Sequence, residues 1–473
     1  MGNIYQIYLG GEFRKTDKVL PVINPYNNKV IASTFQAGEN ELEEAILKAV
    51  SVQIELGELP SWRKYGVLME IASLMRDSRL EFAKTISLES AKPLRYALGE
   101  TDRAIQTFIV AAEECKRLPA EYIDIEWTPA GEGKEGILRY FPVGLIAGIA
   151  PFNFPLNLAV HKIAPAIAAG CPIILKPSSS TPLSTLLLAR IIDKTDLPKG
   201  AVSILPMERS TGNLMVSDDR FSLLTFTGSA AVGWKMKAES GRKKVVLELG
   251  GNAGVIVTET ADVDKAVAKC LVGGFAYSGQ VCIHTQRIYV HEKIYDEFAE
   301  RFVAGVKKLK TGDPAEEQTE ISSMIDEANA IRVEKWVNEA LDEGAELLCG
   351  GHRKGGYFEP TVITSTQSRM KVCALEIFGP VVTLEKFSSF EEAINHINDS
   401  VYGLQAGMFT NALDEMNYAF RKIRVGGLIV NDVPGFRVDH MPYGGIKDSG
   451  QGREGVKYSL GHMLEPKLLI KDM

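Results

Sequence analysis

The sequence predicts an α/β protein with two parallel, doubly wound sheets, and three observations lead to that class. Short apolar runs alternate with stretches of helical periodicity from residue 143 onward, which is typical of βαβ units. A second alternating series begins near Val255. The pair Gly250-Gly251 lies between the two series, so we expect one α/β domain to end there and the next to begin.

The first series contains candidate strands at 143–150, 172–175, 202–205, 223–226 and 245–249. After the second of these, Thr181 precedes Pro182 and a helical pattern follows. Because Thr is a common helix cap and Pro is favoured at the first helical position, we predict a helix that begins at Pro182. The second series adds candidate strands at 255–257, 288–290, 381–384 and 428–430.

Residues 140–160 form an uncharged run that is long enough to resemble a membrane span. Pro142, Pro151 and Pro155 would break a helix there, so the run predicts a buried strand, a loop and a helix start. The amino terminus has no basic region followed by an apolar core, and Gln6 stands where a myristoylation signal has Ser or Thr. We therefore expect a cytoplasmic protein.

Composition limits the classes of partner. A chain of 473 residues with 45% hydrophobic and 24% charged residues suggests two or three globular domains. The net charge of −7 gives no reason to expect nucleic acid or an anionic membrane as a partner. The six cysteines contain no Cys-x-x-Cys pair, so a disulfide framework or a structural metal site is not expected.

Polar residues follow several of the candidate strands. Asn153 follows the first, Lys176 ends the second, Gly228 and Ser229 follow the fourth, and Glu248 lies at the end of the fifth. Ligands gather at the carboxyl ends of parallel strands, so we expect these groups to lie along one edge of the sheet. Alternatively, Asn153 only caps a helix and Glu248 is a paired carboxylate.

Cys282, in the stretch YSGQVCIHTQR (277–287), is a candidate nucleophile. A lone buried cysteine is more often a small core residue. The residues around it decide between these alternatives.

Six segments occur in a fixed order: APFNFPLN (150–157), ILKPSSSTPLS (174–184), TFTGSAAVG (225–233), LELGGN (247–252), GQVCIHTQR (279–287) and EIFGPV (376–381). In this combination the chain resembles the NAD(P)-dependent aldehyde dehydrogenase superfamily over essentially its whole length. The resemblance implies a Rossmann-like cofactor domain (1–120 and 141–249), an α/β catalytic domain (250–445) and oligomerisation strands (121–140 and 460–473).

The resemblance also implies roles for individual residues. Cys282 would be the nucleophile, Glu248 the general base and Asn153 the side-chain donor of the oxyanion hole. The cofactor-binding residues would be Pro151, Phe152, Lys176, Ser179, Gly228, Ser229, Gly233, Glu376 and Phe378. No metal is implied. The expected reaction is oxidation of an aldehyde to its acid through a thiohemiacetal and a thioester on Cys282.

Two other classes stay open. A coenzyme A acylating relative would pass the thioester to a second thiol and often lacks the glutamate base, so Glu248 favours hydrolysis. A non-catalytic structural paralogue of the same fold would be expected to have lost Cys282 or Asn153, and both are present.

Four residues are candidates for substrate recognition. Asn157 and His161 follow Asn153 on one face of the helix that opens at Pro155. Arg437 and His440 lie in the segment 431–445, which resembles the corresponding loop of the lactaldehyde, phosphonoacetaldehyde and sulfolactaldehyde branch. We predict a small aldehyde that carries a hydroxyl or an anionic group, such as lactaldehyde or a semialdehyde. The alternative is that Arg437 pairs with Asp439 or another surface acid and His440 merely packs.

Ser179 bears on the choice of dinucleotide. NAD-preferring relatives commonly have a glutamate three places after the lysine that binds the ribose, and its carboxylate repels a 2′-phosphate. Ser179 removes that repulsion, and Lys176 and Arg209 supply positive charge. We predict that NADP is accepted and favoured over NAD. The alternative is that Ser179 only helps cap the helix at Pro182 and that the two dinucleotides are poorly discriminated.

Assembly is the last expectation. By the same resemblance, residues 122–139 and the tail MLEPKLLIKD (463–472) look like strands that pair subunits, which predicts a homodimer or a homotetramer. Residues 467–471 alternate poorly, so a loose terminus is the alternative.

Overall fold

The computed structural model describes residues 3–472, so the outermost residues of the predicted domain ranges (1, 2 and 473) lie outside the described part. The α/β class is confirmed, because two large and mainly parallel sheets form the body of the molecule. The first sheet ends in sequence at Glu248 and the second begins at Gly254. The glycine pair lies in the short connection between them.

The first large sheet has five parallel strands at its centre, and all five were predicted. Three short antiparallel strands at its edges were not predicted. In spatial order the strands are Gly450–Gln451, Lys244–Glu248, Phe221–Thr227, Leu145–Ile149, Ile173–Lys176, Val202–Ile204, Ile7–Leu9 and Glu12–Arg14.

The second large sheet has six parallel strands and one antiparallel edge strand. Four of its strands were predicted. In spatial order the strands are Glu346–Cys349, Thr361–Thr364, Val381–Phe387, Arg287–His291, Gly254–Val257, Gln405–Phe409 and Gly427–Val430.

A three-stranded antiparallel sheet stands apart from the two large sheets. Its strands are Leu464–Asp472, Lys134–Pro142 and Ala120–Asp124. The tail is therefore a strand paired along its whole length, and the alternative of a loose terminus is wrong. The predicted tail range began too early, because residues 460–462 belong to the helix Val456–His462.

Two small sheets complete the strands. One contains Asn3–Ile4, Val30–Phe35 and Val19–Ile23, and the other contains Arg353–Lys354 and Tyr357–Phe358.

The α-helices are Glu39–Ser51, Gln53–Glu58, Ser61–Asp77, Arg79–Ser90, Leu94–Glu114, Pro155–Ala169, Leu183–Ile192, Arg209–Ser217, Ala230–Glu239, Val263–Phe275, Glu292–Val306, Glu327–Asp342, Lys371–Ala374, Phe390–Asn398, Leu413–Lys422 and Val456–His462. Among residues 3–472, none of these helices is both long enough and apolar enough to cross a membrane. The uncharged run 140–160 forms strand, loop and helix start, as predicted.

The predicted cap at Thr181 is wrong. The helix begins at Leu183, and the Thr181 hydroxyl is buried with no hydrogen-bond partner among residues 3–472. The carboxylate of Glu89, on a distant helix, instead accepts hydrogen bonds from the backbone N–H groups of Leu183 (2.6 Å) and Ser184 (3.1 Å). A carboxylate at the helix start satisfies these donors better than a hydroxyl does.

The helix Pro155–Ala169 carries site residues into the interior. All fifteen of its residues are buried, and it packs with helices 61–77 and 94–114 on one face of the first sheet. Burial on all sides is unusual for a helix. Any polar side chain on this helix must therefore find a partner inside the protein.

Candidate active site

Three of the predicted polar residues lie at the carboxyl ends of strands in the first sheet. Lys176 and Glu248 end their strands, and Asn153 lies in the loop between the strand Leu145–Ile149 and the helix Pro155–Ala169. All three point to the same edge of the sheet because the central strands are parallel.

Cys282 follows a turn with unusual backbone geometry. Tyr277, Ser278 and Gly279 have φ values of 51°, 53° and 68°, and a left-handed backbone is costly for residues with a side chain. The turn is held in place because the Ser278 hydroxyl donates a hydrogen bond to the carbonyl of Ser322 at 2.7 Å. It places Cys282 two residues after Gln280, whose carbonyl accepts a hydrogen bond from Asn153.

The glycines of LELGGN allow close approach between the two halves of the site. A Cβ at Gly251 would lie 2.9 Å from the carbonyl oxygen of Cys282, and one at Gly250 would lie 2.0 Å from Oε2 of Glu376. A side chain at either position would therefore displace the cysteine turn or the glutamate.

Asn153 faces the cysteine turn. Its Nδ2 donates a hydrogen bond to the carbonyl of Gln280 at 3.1 Å, which leaves the second amide hydrogen free. The helix begins at Pro155 with Phe154 as its N-cap, so the alternative that Asn153 only caps this helix is wrong.

A buried ion pair fixes the loop that carries Asn153. Nζ of Lys92 donates to the carbonyl of Asn153 at 2.6 Å and to the carboxylate of Glu100, and both charged side chains are fully buried. Glu100 also accepts the backbone N–H groups of Leu156 (3.0 Å) and Asn157 (3.2 Å). The pair therefore holds the loop and caps the following helix.

Glu248 is 3% exposed, and neither carboxylate oxygen has a hydrogen-bond partner among residues 3–472. It is not a paired carboxylate. Burial, reinforced by the negative charge of Glu454, raises the pKa of Glu248 well above its usual value. A buried, unpartnered carboxyl group with a raised pKa is suited to accept a proton from water.

Two residues that the sequence analysis missed lie beside Glu248. Lys162 is fully buried, and its Nζ donates to the Thr227 hydroxyl at 2.8 Å and lies 3.4 Å from Oε1 of Glu454. Burial opposes ionisation, but Lys162 and Arg437 hold the pKa of Glu454 below its usual value. The only sequence signal for Lys162 was its place next to His161 on a buried helix.

Arg437 is buried and does not form a surface ion pair. A guanidinium nitrogen donates to Oε2 of Glu454 at 2.9 Å, and the guanidinium lies 3.8 Å from the centre of the Tyr443 ring. Its Nε has no hydrogen-bond partner among residues 3–472. The alternative pairing with a surface acid is wrong, because Glu454 is 2% exposed.

His161 lies beside Arg437. Its Nε2 bonds with Oδ1 of Asp439 at 2.8 Å, and the same carboxylate pairs with Arg103 at 2.7 Å. Burial, together with the positive charge of Arg437, lowers the pKa of His161, which favours the neutral ring. Because Nε2 holds the proton for Asp439, Nδ1 is an acceptor, and it has no partner within residues 3–472.

The other two predicted substrate residues, Asn157 and His440, differ in burial. Asn157 is 1% exposed, and its Oδ1 lies 3.5 Å from the Thr107 hydroxyl. His440 is exposed and takes no part in the buried cluster around Arg437.

A cavity of about 240 Å³ opens beside Lys176 on the other side of the sheet edge. Lys176, Arg209, Lys235 and one acid, Glu239, line it. Burial and the charge of Arg209 together lower the pKa of Lys176. This cavity is positively charged and suits a phosphorylated ribose. Ser179 makes no capping bond to the helix 183–192, because Glu89 makes those bonds.

The remaining predicted cofactor residues lie on both sides of the cleft. Phe152 and Phe378 pack edge to face, with ring centres 5.8 Å apart. Oε1 of Glu376 accepts the Gly251 N–H at 3.2 Å, and burial raises the pKa of Glu376 to about 7. Pro151 adjoins Phe152 in the loop after the first central strand.

A glycine-containing turn leads into the helix Ala230–Glu239. Gly228 and Ser229 precede this helix, and Ser229 makes no side-chain cap. A Cβ at Gly233 would lie 2.4 Å from Leu249, so this glycine lets the helix pack closely on the sheet. Uncapped N–H groups at a helix start suit a diphosphate, and the residues present therefore fit a dinucleotide.

Fold and site together define an oxidoreductase that combines a dinucleotide cavity with a thiol. Residues 13–469 match the sequence pattern of the aldehyde dehydrogenase family, and the chain belongs to that family. It is 40% identical to a 3-sulfolactaldehyde dehydrogenase of Priestia aryabhattai, over 99% of this chain and 98% of the relative. It is 39% identical to a lactaldehyde dehydrogenase of Methanococcus aeolicus, over 98% of this chain and 99% of that one.

Solved structures of aldehyde dehydrogenases have the same fold as this chain. Aldehyde dehydrogenase 21 from Physcomitrella patens, in complex with the reaction product succinate, superposes with a TM-score of 0.98 at 47% identity, over 100% of this chain and 98% of that one. Glyceraldehyde-3-phosphate dehydrogenase GapN from Methanocaldococcus jannaschii, complexed with NADP, gives a TM-score of 0.93 at 38% identity, over 97% and 100%. The protein is therefore an enzyme that oxidises aldehydes with NAD(P)⁺.

Proposed function

We propose that the enzyme oxidises a small aldehyde whose other end carries an anionic or hydroxyl group. One observation carries this proposal: the Arg437 Nε–H and the His161 Nδ1 are a buried donor and a buried acceptor that both lack partners among residues 3–472. Buried polar groups in folded proteins are nearly always satisfied. A substrate hydroxyl could accept a hydrogen bond from Arg437 Nε and donate one to His161 Nδ1, whereas a carboxylate or sulfonate oxygen would satisfy the Arg437 donor.

The charged side chains around Arg437, here called the Arg437 cluster, support an anionic substrate. Three cations, Arg103, Lys162 and Arg437, face two carboxylates, Asp439 and Glu454. Leaving aside Glu248, which must be ionised to act as the base, the Arg437 cluster has one more cation than it has carboxylates. A carboxylate or sulfonate on the substrate would pair with that extra cation.

The distance from this cluster to Cys282 supports a short substrate. Arg437 stacks on the ring of Tyr443, and the Tyr443 hydroxyl lies 3.0 Å from Sγ of Cys282. Only one side chain thus separates the cation from the thiol. Two relatives are named as dehydrogenases of 3-sulfolactaldehyde and lactaldehyde, and a third is in complex with its product succinate; all three compounds are small polar molecules.

We assign the chemical roles as follows. Sγ of Cys282 attacks the aldehyde carbon, and the free N–H of the Asn153 amide holds the resulting oxyanion. Phe152, Glu376 and the turn that carries Cys282 would hold the nicotinamide, and the bound ring would supply the hydride acceptor that lets the adduct on Cys282 become a thioester. Loss of one oxyanion donor typically reduces the rate by about 10²- to 10³-fold.

Glu248 completes the reaction in this proposal. Its unpartnered carboxylate takes a proton from a water molecule, which then hydrolyses the thioester. A buried base with this geometry favours water over coenzyme A as the acceptor. Formation of reduced nicotinamide from aldehyde and oxidised cofactor, without coenzyme A, tests this choice directly.

We also propose that NADP is favoured over NAD and that the three-stranded sheets pair subunits. The cations Lys176 and Arg209 at the ribose cavity support the preference for NADP.

The exposed apolar side chains Leu468, Leu469 and Ile470 on the last strand support the pairing of subunits, since such strands are commonly covered by another subunit. The division of the chain into cofactor, catalytic and oligomerisation parts stays part of this proposal.

The substrate proposal is tested with succinic semialdehyde, lactaldehyde and hexanal. Arg437→Lys keeps a charge beside Glu454 but removes the free Nε–H. We expect the ratio of kcat/KM for the anionic aldehyde to kcat/KM for hexanal to fall about tenfold or more, as for a lost hydrogen bond to a charged group. Arg95→Lys, in the exposed pair with Glu320, is the matched control. A wild-type preference for hexanal over both polar aldehydes would contradict the proposal.

A further inference from the structure

Tyr443 is the only side chain among residues 3–472 that forms a hydrogen bond with Sγ of Cys282. The two atoms are 3.0 Å apart. No role in the reaction described so far has required this tyrosine. Its position therefore calls for a chemical explanation.

The Tyr443 ring is held firmly. The side chain is 3% exposed, and the backbone N–H and carbonyl of Tyr443 exchange hydrogen bonds with Glu454 at 3.0 and 2.7 Å. The Arg437 guanidinium covers one ring face at 3.8 Å. The hydroxyl is therefore aimed at the sulfur by packing on several sides, which is the usual requirement for a catalytic group.

The chemistry of sulfur determines the direction of this bond when the nucleophile is active. A thiolate has no proton, so the tyrosine hydroxyl must donate. Hydrogen bonds to ionised acceptors are about twice as strong as neutral ones. The stacked guanidinium draws electron density from the ring and makes the hydroxyl a better donor.

The thiol needs such help. Burial raises the pKa of Cys282 to about 11, and the bond from Tyr443 acts against that shift. Near neutral pH each unit by which the thiol pKa falls gives about ten times more thiolate, while intrinsic nucleophilicity falls with a Brønsted slope of only about 0.4–0.5. Lowering the thiol pKa therefore yields a net gain in rate.

We propose that Tyr443 is a further catalytic residue, whose hydroxyl donates a hydrogen bond to Sγ of Cys282 and stabilises the thiolate before it attacks the aldehyde. Arg437 is a positioning residue for this donor as well as a substrate contact. The same side chain that recognises the polar end of the substrate thus also supports the nucleophile. The proposal rests on the assignment of Cys282 as the nucleophile.

The test measures the pKa of the Cys282 thiol directly and does not depend on turnover. The cofactor-free enzyme is treated with iodoacetamide over a range of pH, and alkylation of the peptide that contains Cys282 is followed by mass spectrometry. The charged or titratable groups that influence the thiol are Tyr443, Glu376, Arg437 and Glu248. Tyr443→Phe keeps the ring and its stack on Arg437 and removes only the hydroxyl.

We expect Tyr443→Phe to shift the alkylation profile to higher pH and to slow alkylation at pH 8 by roughly tenfold, the effect of about one pKa unit. Tyr295→Phe is the control, because the buried Tyr295 hydroxyl bonds with Thr364 away from the site. Thiolate absorbance near 240 nm, compared with that of Cys282→Ala, gives a second measure of the same pKa. An unchanged profile in a folded Tyr443→Phe enzyme would overturn the proposal.

A wrong assignment of Cys282 as the nucleophile would give a different result from a wrong assignment of Tyr443. If Cys282→Ala still oxidised aldehydes, Cys282 would not be the nucleophile, whatever Tyr443 does to its pKa. If Cys282→Ala were inactive and Tyr443→Phe had a wild-type thiol pKa, only the role of Tyr443 would be wrong.

Discussion

Lys162, on a helix of the first domain, meets Glu454, on the segment that follows the second sheet, with Nζ and Oε1 3.4 Å apart and both side chains buried. This pair lies next to Glu248 and connects the two halves of the site. The charge on Glu248 therefore depends on residues from three separate parts of the chain, namely Glu454, Arg437, Lys162 and Arg453.

The first prediction concerns Glu248 as base. Glu248→Gln keeps the size of the side chain but cannot accept a proton, so we expect the thioester to form and then persist. Mass spectrometry after a brief pulse of aldehyde and oxidised cofactor should show the acyl group on Cys282, and steady-state turnover should fall by about 10²-fold or more. Asp432→Asn, in a partly exposed ion pair with Lys269, is the control. Normal turnover with no adduct would remove Glu248 from the mechanism.

The second prediction follows from the raised pKa of the Glu248 carboxyl. The folded state holds this proton more tightly than the unfolded state, so the associated stability is complete below the ordinary value of 4.5 and is lost as pH rises through the folded pKa. Glu248→Gln has no such loss. The free energy of unfolding of Glu248→Gln minus that of the wild type, measured by denaturant titration, should therefore increase from pH 5 to pH 9, by up to about 1.4 kcal/mol per pH unit while the group titrates. A difference that stays flat or decreases would contradict the raised pKa.

The third prediction concerns the buried pair of Lys92 and Glu100. Lys92→Met leaves Glu100 charged and unpaired, so the free energy of unfolding should fall by about 3–5 kcal/mol. The double variant Lys92→Met with Glu100→Gln should recover part of this loss. Denaturant titration measures both. Equal destabilisation by the single and the double variant would show that the unpaired charge is not the cause.

The fourth prediction concerns the dinucleotide. Ser179→Glu should place a carboxylate against the 2′-phosphate and raise the KM for NADP about tenfold or more, with a much smaller change for NAD. Arg209→Gln should weaken NADP in the same direction by removing a cation from the ribose cavity. Binding followed by fluorescence titration separates these effects from catalysis. Equal weakening of both dinucleotides by Ser179→Glu, or no NADP activity in the wild type, would contradict the proposal.

The fifth prediction concerns assembly. Leu468 and Ile470 are about half exposed, at 47% and 52%, and changing both to Asp should oppose their burial between subunits. Sedimentation should then show a smaller species than the wild type. Leu413→Asp, at an exposed position on a different face (66%), is the control. Identical sedimentation of all three proteins would count against pairing through this strand.

The sequence was sufficient to predict the elements that depend on local pattern. The five central strands of the first sheet were predicted because each is an apolar run followed by a polar residue, and this placed Asn153, Lys176 and Glu248 on one edge. The short strand Ile7–Leu9 was missed, because a three-residue strand buried at every position has no alternation to reveal it.

Buried charges could not be predicted in the same way. Lys162, Glu454 and Asp439 each look like ordinary surface residues in the sequence, since nothing nearby identifies a partner. Their burial is tolerated only because distant segments bring opposite charges together. Thr181 illustrates the converse, because a good local cap was displaced by Glu89 from another helix.

The antiparallel pairing of Gly450–Gln451 with Lys244–Glu248 has a consequence for biosynthesis. A nascent chain emerges from its amino end, so the strand that carries Glu248 remains an open sheet edge until Gly450 has also left the ribosome. Tyr443 and Glu454 arrive in the same late interval. Incomplete chains would therefore lack a finished catalytic centre and would expose an edge open to intermolecular association, which makes this interval the period in which a chaperone would be most useful.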